Sequence, residues 1–270
     1  MPDGPSSLSQ NVTEAIPSFQ ARLDRADEHF KALSLEINRW LSLLHAFPVS
    51  ELDAESGTTV VSVEIREHVP DSWGPILGDV LHNFRSSLDH LAYALTVAEQ
   101  GAPLSPELER QTEFPIFATK DGFDKLGSSA IRGMSQQAQT TIEELQPYQR
   151  GADWALDPLW LLHELSNIDK HRRAALTSLH LEPMMEVRSG SFADVQIGIS
   201  GPATPNDSPY VIGTYRRRDD EPDAQISPGY AYYVAFREDV APKQYKVELI
   251  LWTIGAHIRE SVLGRLTPFL

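Results

Sequence analysis

The chain has 270 residues, 41% hydrophobic and 23% charged, with 16 Gly, 19 Pro and no Cys. Without cysteine there are no disulfides, thiolate nucleophiles, Fe–S clusters or Cys-ligated zinc, and the length suffices for one large domain or a helical body with a smaller subdomain. Lys+Arg 23 against Asp+Glu 38 leaves a net charge of −15, which disfavours nonspecific binding to duplex DNA, because such binding rests on neutralising phosphates.

Residues 1–12 have neither a basic segment nor an apolar run, so they read as a disordered leader and the protein as cytoplasmic. From 13 to about 47, Ile16, Phe19, Leu23, Phe30, Leu33, Leu35, Ile37, Leu41 and Leu44 recur mostly at three- and four-residue spacing, which predicts a long amphipathic helix. The alternating, β-branched stretch 58–67, closed by Pro70, predicts a strand. A second helix opens near Asp71 and Ser72 and runs to Gly101, with Leu77, Leu81, Phe84, Leu88, Leu91 and Leu95 as its seam. After a loop holding Phe114, Pro115, Ile116 and Phe117, helical patterns return at about 135–145 and 157–176.

Beyond 176 the texture becomes β-like, in segments near 179–188, 192–199, 209–217 and 229–237 separated by Gly, Pro and Asp. A last helix, about 242–266, carries Leu251, Ile254, Ile258 and Val262 on one stripe. Its apolar run 249–256 is far shorter than the roughly 18 to 20 residues that cross a bilayer, so no membrane partner is expected. The expected fold class is α+β: an antiparallel helical bundle over 13–176 with one strand near 58–67, an antiparallel β meander over 177–238, and a closing helix over 239–270 that packs on the body.

Two helix faces are polar in an unusual way. Between Ile76 and Ala98 there is no Lys or Glu; the polar residues include Asp79, His82, Asn83, Arg85, Ser86, Ser87, Asp89, His90 and Tyr93. Asp, Asn and Ser are mediocre helix formers, so their concentration points to groups that a partner helix or a site requires. On the helix near 157–176, Trp160, Glu164, Asn167 and His171 share a face, while Asp169 and Arg172 project close to the apolar side. A near-core carboxylate needs a partner, which predicts that Asp169 meets Arg85, Arg172 or Arg173. Three readings stay open. The groups form an interhelical network, with Arg85 and Asp89 an ordinary i, i+4 pair; or they line a cleft holding His82, Arg85, His90, Asn167 and His171; or Asp79 and His82, with His90, Glu164 and His171, bind a metal.

The residues Gly78, Asp79, His82, Asn83, Arg85, Ser86, Leu88, Asp89 and His90, followed by Phe114-Pro115-Ile116-Phe117, Leu145-Gln146-Pro147-Tyr148 and Asn167-Ile168-Asp169-Lys170-His171-Arg172, resemble a widespread bacterial family with no established activity. The span Arg85 to His90 also resembles the Arg-x4-His motif of HEPN domains, helical and frequently dimeric proteins, many of them metal-independent ribonucleases. That resemblance implies a homodimer acting on RNA or a nucleotide, with Arg85 stabilising phosphate and His90 as general acid/base while the RNA 2′-hydroxyl attacks. On an ideal helix the two are about 140° apart, so the site would need a bend or a second subunit. The alternative is a noncatalytic interaction or small-ligand-binding protein whose polar faces are structural. No dinucleotide fingerprint, Walker loop or nucleophile elbow is present, and no cofactor is expected.

Overall fold

The computed structural model describes residues 7–43, 46–171, 178–203, 206, 208–236 and 245–270, with side chains for all but 7–17, 46–47, 169–171 and 178. The chain forms a mixed α+β fold of two compact units, interleaved along the sequence. The first comprises Met1–Leu33, Trp73–Ala174 and Glu248–Leu270; the second comprises Ser34–Ser72 and Ala175–Val247.

The first unit is the helical bundle. Helix α1 (Ser7–Ser42), which belongs to this unit as far as Leu33, begins earlier than its apolar pattern implied and buries Phe19, Leu23 and Leu33; in its remainder, assigned to the second unit, Ile37 is buried while Leu35 falls off the stripe and is 72% exposed. Helix α2 (Trp73–Gln100) ends where Gly101 takes a φ of 82°, a left-handed value that suits glycine. All six residues of its seam are at most 1% exposed, as the heptad spacing requires. Short helices α3 (Pro106–Gln111), α4 (Lys120–Gly122) and α5 (Ser128–Ala130) follow, the last two joined by a π turn over Phe123–Gly127. Helix α6 (Gln136–Glu144) is capped by the Ser135 hydroxyl, and Gly151 divides the 3₁₀ stretch Pro147–Leu156. Helix α7 (Pro158–His171) packs on α2.

The closing helix α8 (Val247–His257) continues through a π turn, Ile258–Leu263, into α9 (Gly264–Leu266). Its predicted stripe of Leu251, Ile254, Ile258 and Val262 is fully buried. Gly255 lets α8 lie close to α2, since a Cβ there would stand 3.1 Å from the Phe84 ring. Arg259 pairs with Asp27 of α1, and Arg265 with Glu144 of α6.

The second unit holds two antiparallel sheets. Strands β1 (Ala46–Asp53), β2 (Thr58–Ile65), β6 (Tyr210–Arg217) and β4 (Phe192–Ile197) form one, in the order β1-β2-β6-β4. Strands β5 (Gly201–Ala203), β3 (Ser178–Ser189) and β7 (Gln225–Ala235) form the other, in the order β5-β3-β7. The β region is antiparallel as expected, but successive strands alternate between sheets, so β3 and β4 pair with different neighbours. The strand predicted near 58–67 does not stand within the bundle; it pairs with β6, about 150 residues on, and with β1. The helix expected to run to about 47 stops at Ser42, and β1 follows it as an edge strand, where Pro48 costs no interior ladder bond.

Among the described residues no helix is long and apolar enough to cross a membrane.

Candidate functional site

The mid-helix polar residues of α2 first satisfy their own backbone. The Ser87 and Thr96 hydroxyls donate to the carbonyls of Phe84 (2.8 Å) and Ala92 (3.0 Å), and the Asn83 amide donates to that of Asp79 (2.8 Å). Asp79 and His82 are exposed. His90 is half-buried, and its Nδ1 lies 2.8 Å from the Ser18 hydroxyl of α1.

Arg85 faces elsewhere. Its guanidinium donates to both carboxylate oxygens of Asp89, at 2.8 and 3.2 Å, and to the carbonyl of Phe114 at 2.7 Å. The same Asp89 accepts the Phe114 N–H at 3.1 Å. Buried Gln146 continues the pattern along the same segment: its amide donates to the carbonyls of Pro115 (2.9 Å) and Ile142 (3.0 Å), and its Oε1 accepts the Phe117 N–H at 3.0 Å. The segment Phe114-Pro115-Ile116-Phe117 belongs to no helix or sheet, yet Phe114 and Ile116 are buried. Its backbone groups therefore need partners, and the side chains of Arg85, Asp89 and Gln146 supply them.

This pinned segment forms one wall of a cleft of about 520 Å³ within the first unit. Helix α7 also lines it, through Trp160, His163, Ser166 and Asn167, as do Arg85, Asp89 and Glu113. Trp160 stacks on His163 with ring centroids 5.2 Å apart and 25° between planes, and Trp154 meets Trp160 edge-on at 5.1 Å. Asn167 Nδ2 lies 2.9 Å from His163 Nε2. Ser166, 7% exposed, carries a buried hydroxyl with no hydrogen-bond partner although it lines the cleft.

Two polar clusters flank the cleft. Lys120, next to the lining residue Thr119, bonds Asp124 at 2.6 Å and Glu143 at 2.8 Å, and these contacts raise its pKa above the usual lysine value. Burial, aided by Glu143, pushes the Tyr148 phenol up to about 12. At the start of α7, the nearly buried Asp157 carboxylate accepts the Leu159 N–H at 2.9 Å and pairs with Arg150 at 2.8 Å. His257 senses both charges, and its Nε2 is buried without a partner. Desolvation lowers its pKa, with Asp157 acting in the opposite sense.

Of the residues singled out from sequence, Arg85, Asp89, Trp160 and Asn167 meet in the cleft. His82, His90, Asp79 and Asn83 do not line it, nor does half-buried Glu164. The side chains of Asp169 and His171, and Arg172 and Arg173 entirely, lie outside the described residues, and with them the expected partner of Asp169. Among the described residues no three His, Asp or Glu side chains stand together as a metal site would need. Sequence reasoning missed His163, Ser166 and Gln146 as site residues; the i, i+4 pair His163 and Asn167 was its available signal.

No protein-family model matches the chain, and no curated protein or solved structure does either. The fold and cleft define an α+β protein with a small-molecule-sized pocket in its helical unit.

Proposed function

We propose that this protein is a noncatalytic binding protein that takes a small molecule in the cleft between α2, the 113–119 segment and α7. The observation that carries this reading is the pinned wall: Arg85, Asp89 and Gln146 fix the backbone of 114–117, which lines the cleft together with Trp160, His163, Ser166 and Asn167. A rigid concave site with an aromatic face and a few convergent polar groups is what small-molecule recognition uses, and its volume lies within the roughly 300–1,000 Å³ of such sites.

The HEPN-like ribonuclease reading asks Arg85 to hold phosphate and His90 to move the proton. The hydrogen bonds of Arg85 go to Asp89 and Phe114, and His90 turns to Ser18, so the two groups serve different neighbours.

Two experiments test the assignment. In a saturation-transfer NMR screen, aromatic fragments should bind the wild type and lose binding in Trp160→Ala, and in the milder Asn167→Ala should the first variant be poorly folded. Fragments that bind all three proteins alike would place binding elsewhere. In parallel, single-stranded RNA should survive incubation with the wild type; cleavage abolished by both Arg85→Ala and His90→Ala would replace this reading with the ribonuclease one.

A further inference from the structure

We infer, resting on the binding role just proposed, that the cleft selects planar aromatic ligands bearing a neutral or cationic nitrogen group and discriminates against anions. Three observations converge on this chemistry.

The first is charge. Among the described residues lining the cleft, the formally charged side chains are Arg85, Asp89 and Glu113, one cation against two anions. The cation is also the more covered member of its pair: the Arg85 side chain is 19% exposed and that of Asp89 37%. Arg85 and Asp89 pair with each other, so the unbalanced charge of the lining is the exposed Glu113 carboxylate. A phosphate or carboxylate ligand would find a field of the wrong sign.

The second is shape and surface. Trp160, Phe114 and Phe117 line the cleft, and aromatic walls favour flat ligands; a π face also attracts cationic groups. The third is Ser166. A buried hydroxyl without a partner is costly, and turning about the Cα–Cβ bond to meet a ligand nitrogen or oxygen in the cleft would relieve it. The hydroxyl both donates and accepts, so it fixes the ligand's orientation without demanding a charge.

The test uses three probes with the same ring and nearly the same outline: benzamidine, benzamide and benzoate, which carry charges of about +1, 0 and −1 at neutral pH by their ordinary pKa values. Their dissociation constants for the full chain are measured by ligand-observed NMR. Benzamidine should bind on the order of tenfold more tightly than benzoate, as expected for a net unit charge a few ångströms away in a partly solvated site, with benzamide between them. Glu113→Gln should narrow the benzamidine-to-benzoate ratio, because it removes the charge and keeps the outline of the side chain. Ser166→Ala should weaken benzamide several-fold, and thermal melts of both variants verify that they are folded. Benzoate binding as tightly as benzamidine would overturn the charge preference while leaving the cleft a binding site. Failure of all three probes to bind at millimolar concentration would remove the binding role itself and this inference with it.

Discussion

Arg85 and Asp89, one helical turn apart on α2, grip the same residue from both sides: the guanidinium donates to the Phe114 carbonyl and the carboxylate accepts the Phe114 N–H. A pair that would contribute little on an open helix surface thereby becomes a structural clamp, because each member also satisfies a backbone group that has no sheet or helix to join. The same device recurs at Gln146. Together they turn an irregular Pro-containing segment into a fixed wall.

Breaking the clamp should therefore cost more than breaking a surface ion pair. Arg85→Ala is expected to lower stability by about 1–3 kcal/mol, since it leaves the Phe114 carbonyl without its donor and the Asp89 carboxylate without its counter-charge. Asp89→Asn keeps an oxygen that can accept the Phe114 N–H and should cost less. Urea unfolding of both variants decides the matter: a loss below about 0.5 kcal/mol for Arg85→Ala, the scale of an ordinary surface substitution, contradicts the clamp.

Gln146 is 1% exposed and bonds to three backbone groups. Gln146→Leu preserves much of the volume and removes every bond, and the expected loss is about 2–4 kcal/mol, most of it from stranding buried backbone groups. Hydrogen exchange offers a local reading, in which the Phe117 amide should lose protection. An unchanged Phe117 exchange rate in a folded variant would show that the wall stands without Gln146.

Ser166→Ala should move stability and binding in opposite directions. Removing a buried hydroxyl that has no partner is expected to be neutral or to stabilise by about 0.5–1 kcal/mol, while binding of benzamide weakens. Thermal unfolding and the NMR titration give the two signs. A marked fall in melting temperature would mean the hydroxyl already has a structural task.

His257 sets a pH dependence. Its folded pKa lies below the ordinary 6.5 because burial disfavours the imidazolium, with the Arg150 charge acting in the same sense and Asp157 against it. Below 6.5 the unfolded chain takes up a proton that the folded protein resists, so this contribution to stability is present above 6.5 and declines as pH falls through that value, levelling off beneath the folded pKa. His257→Gln should flatten the stability profile between about pH 7 and 5 by up to one proton's worth of slope. Parallel profiles for wild type and variant would refute the assignment.

The sequence alone determined the buried stripes of α2 and of the last helix. Leu77, Leu81, Phe84, Leu88, Leu91 and Leu95 on α2, and Leu251, Ile254, Ile258 and Val262 on the last helix, are buried as their spacing dictates, because the helical period is a local property written every three or four residues. The i, i+4 pair of Arg85 and Asp89 was legible for the same reason. Only tertiary structure decided that β2 pairs with β6 across the chain, that 46–53 becomes an edge strand, and that β3 and β4 enter different sheets, since strand partners are chosen by hydrogen bonding and burial between residues far apart in sequence. The cleft belongs to that second class. Nothing local to Phe114, Gln146 or Ser166 reveals that a wall, its clamp and an unpaired hydroxyl meet; their relation exists once three separate stretches of chain have been brought together and water has been driven out from between them.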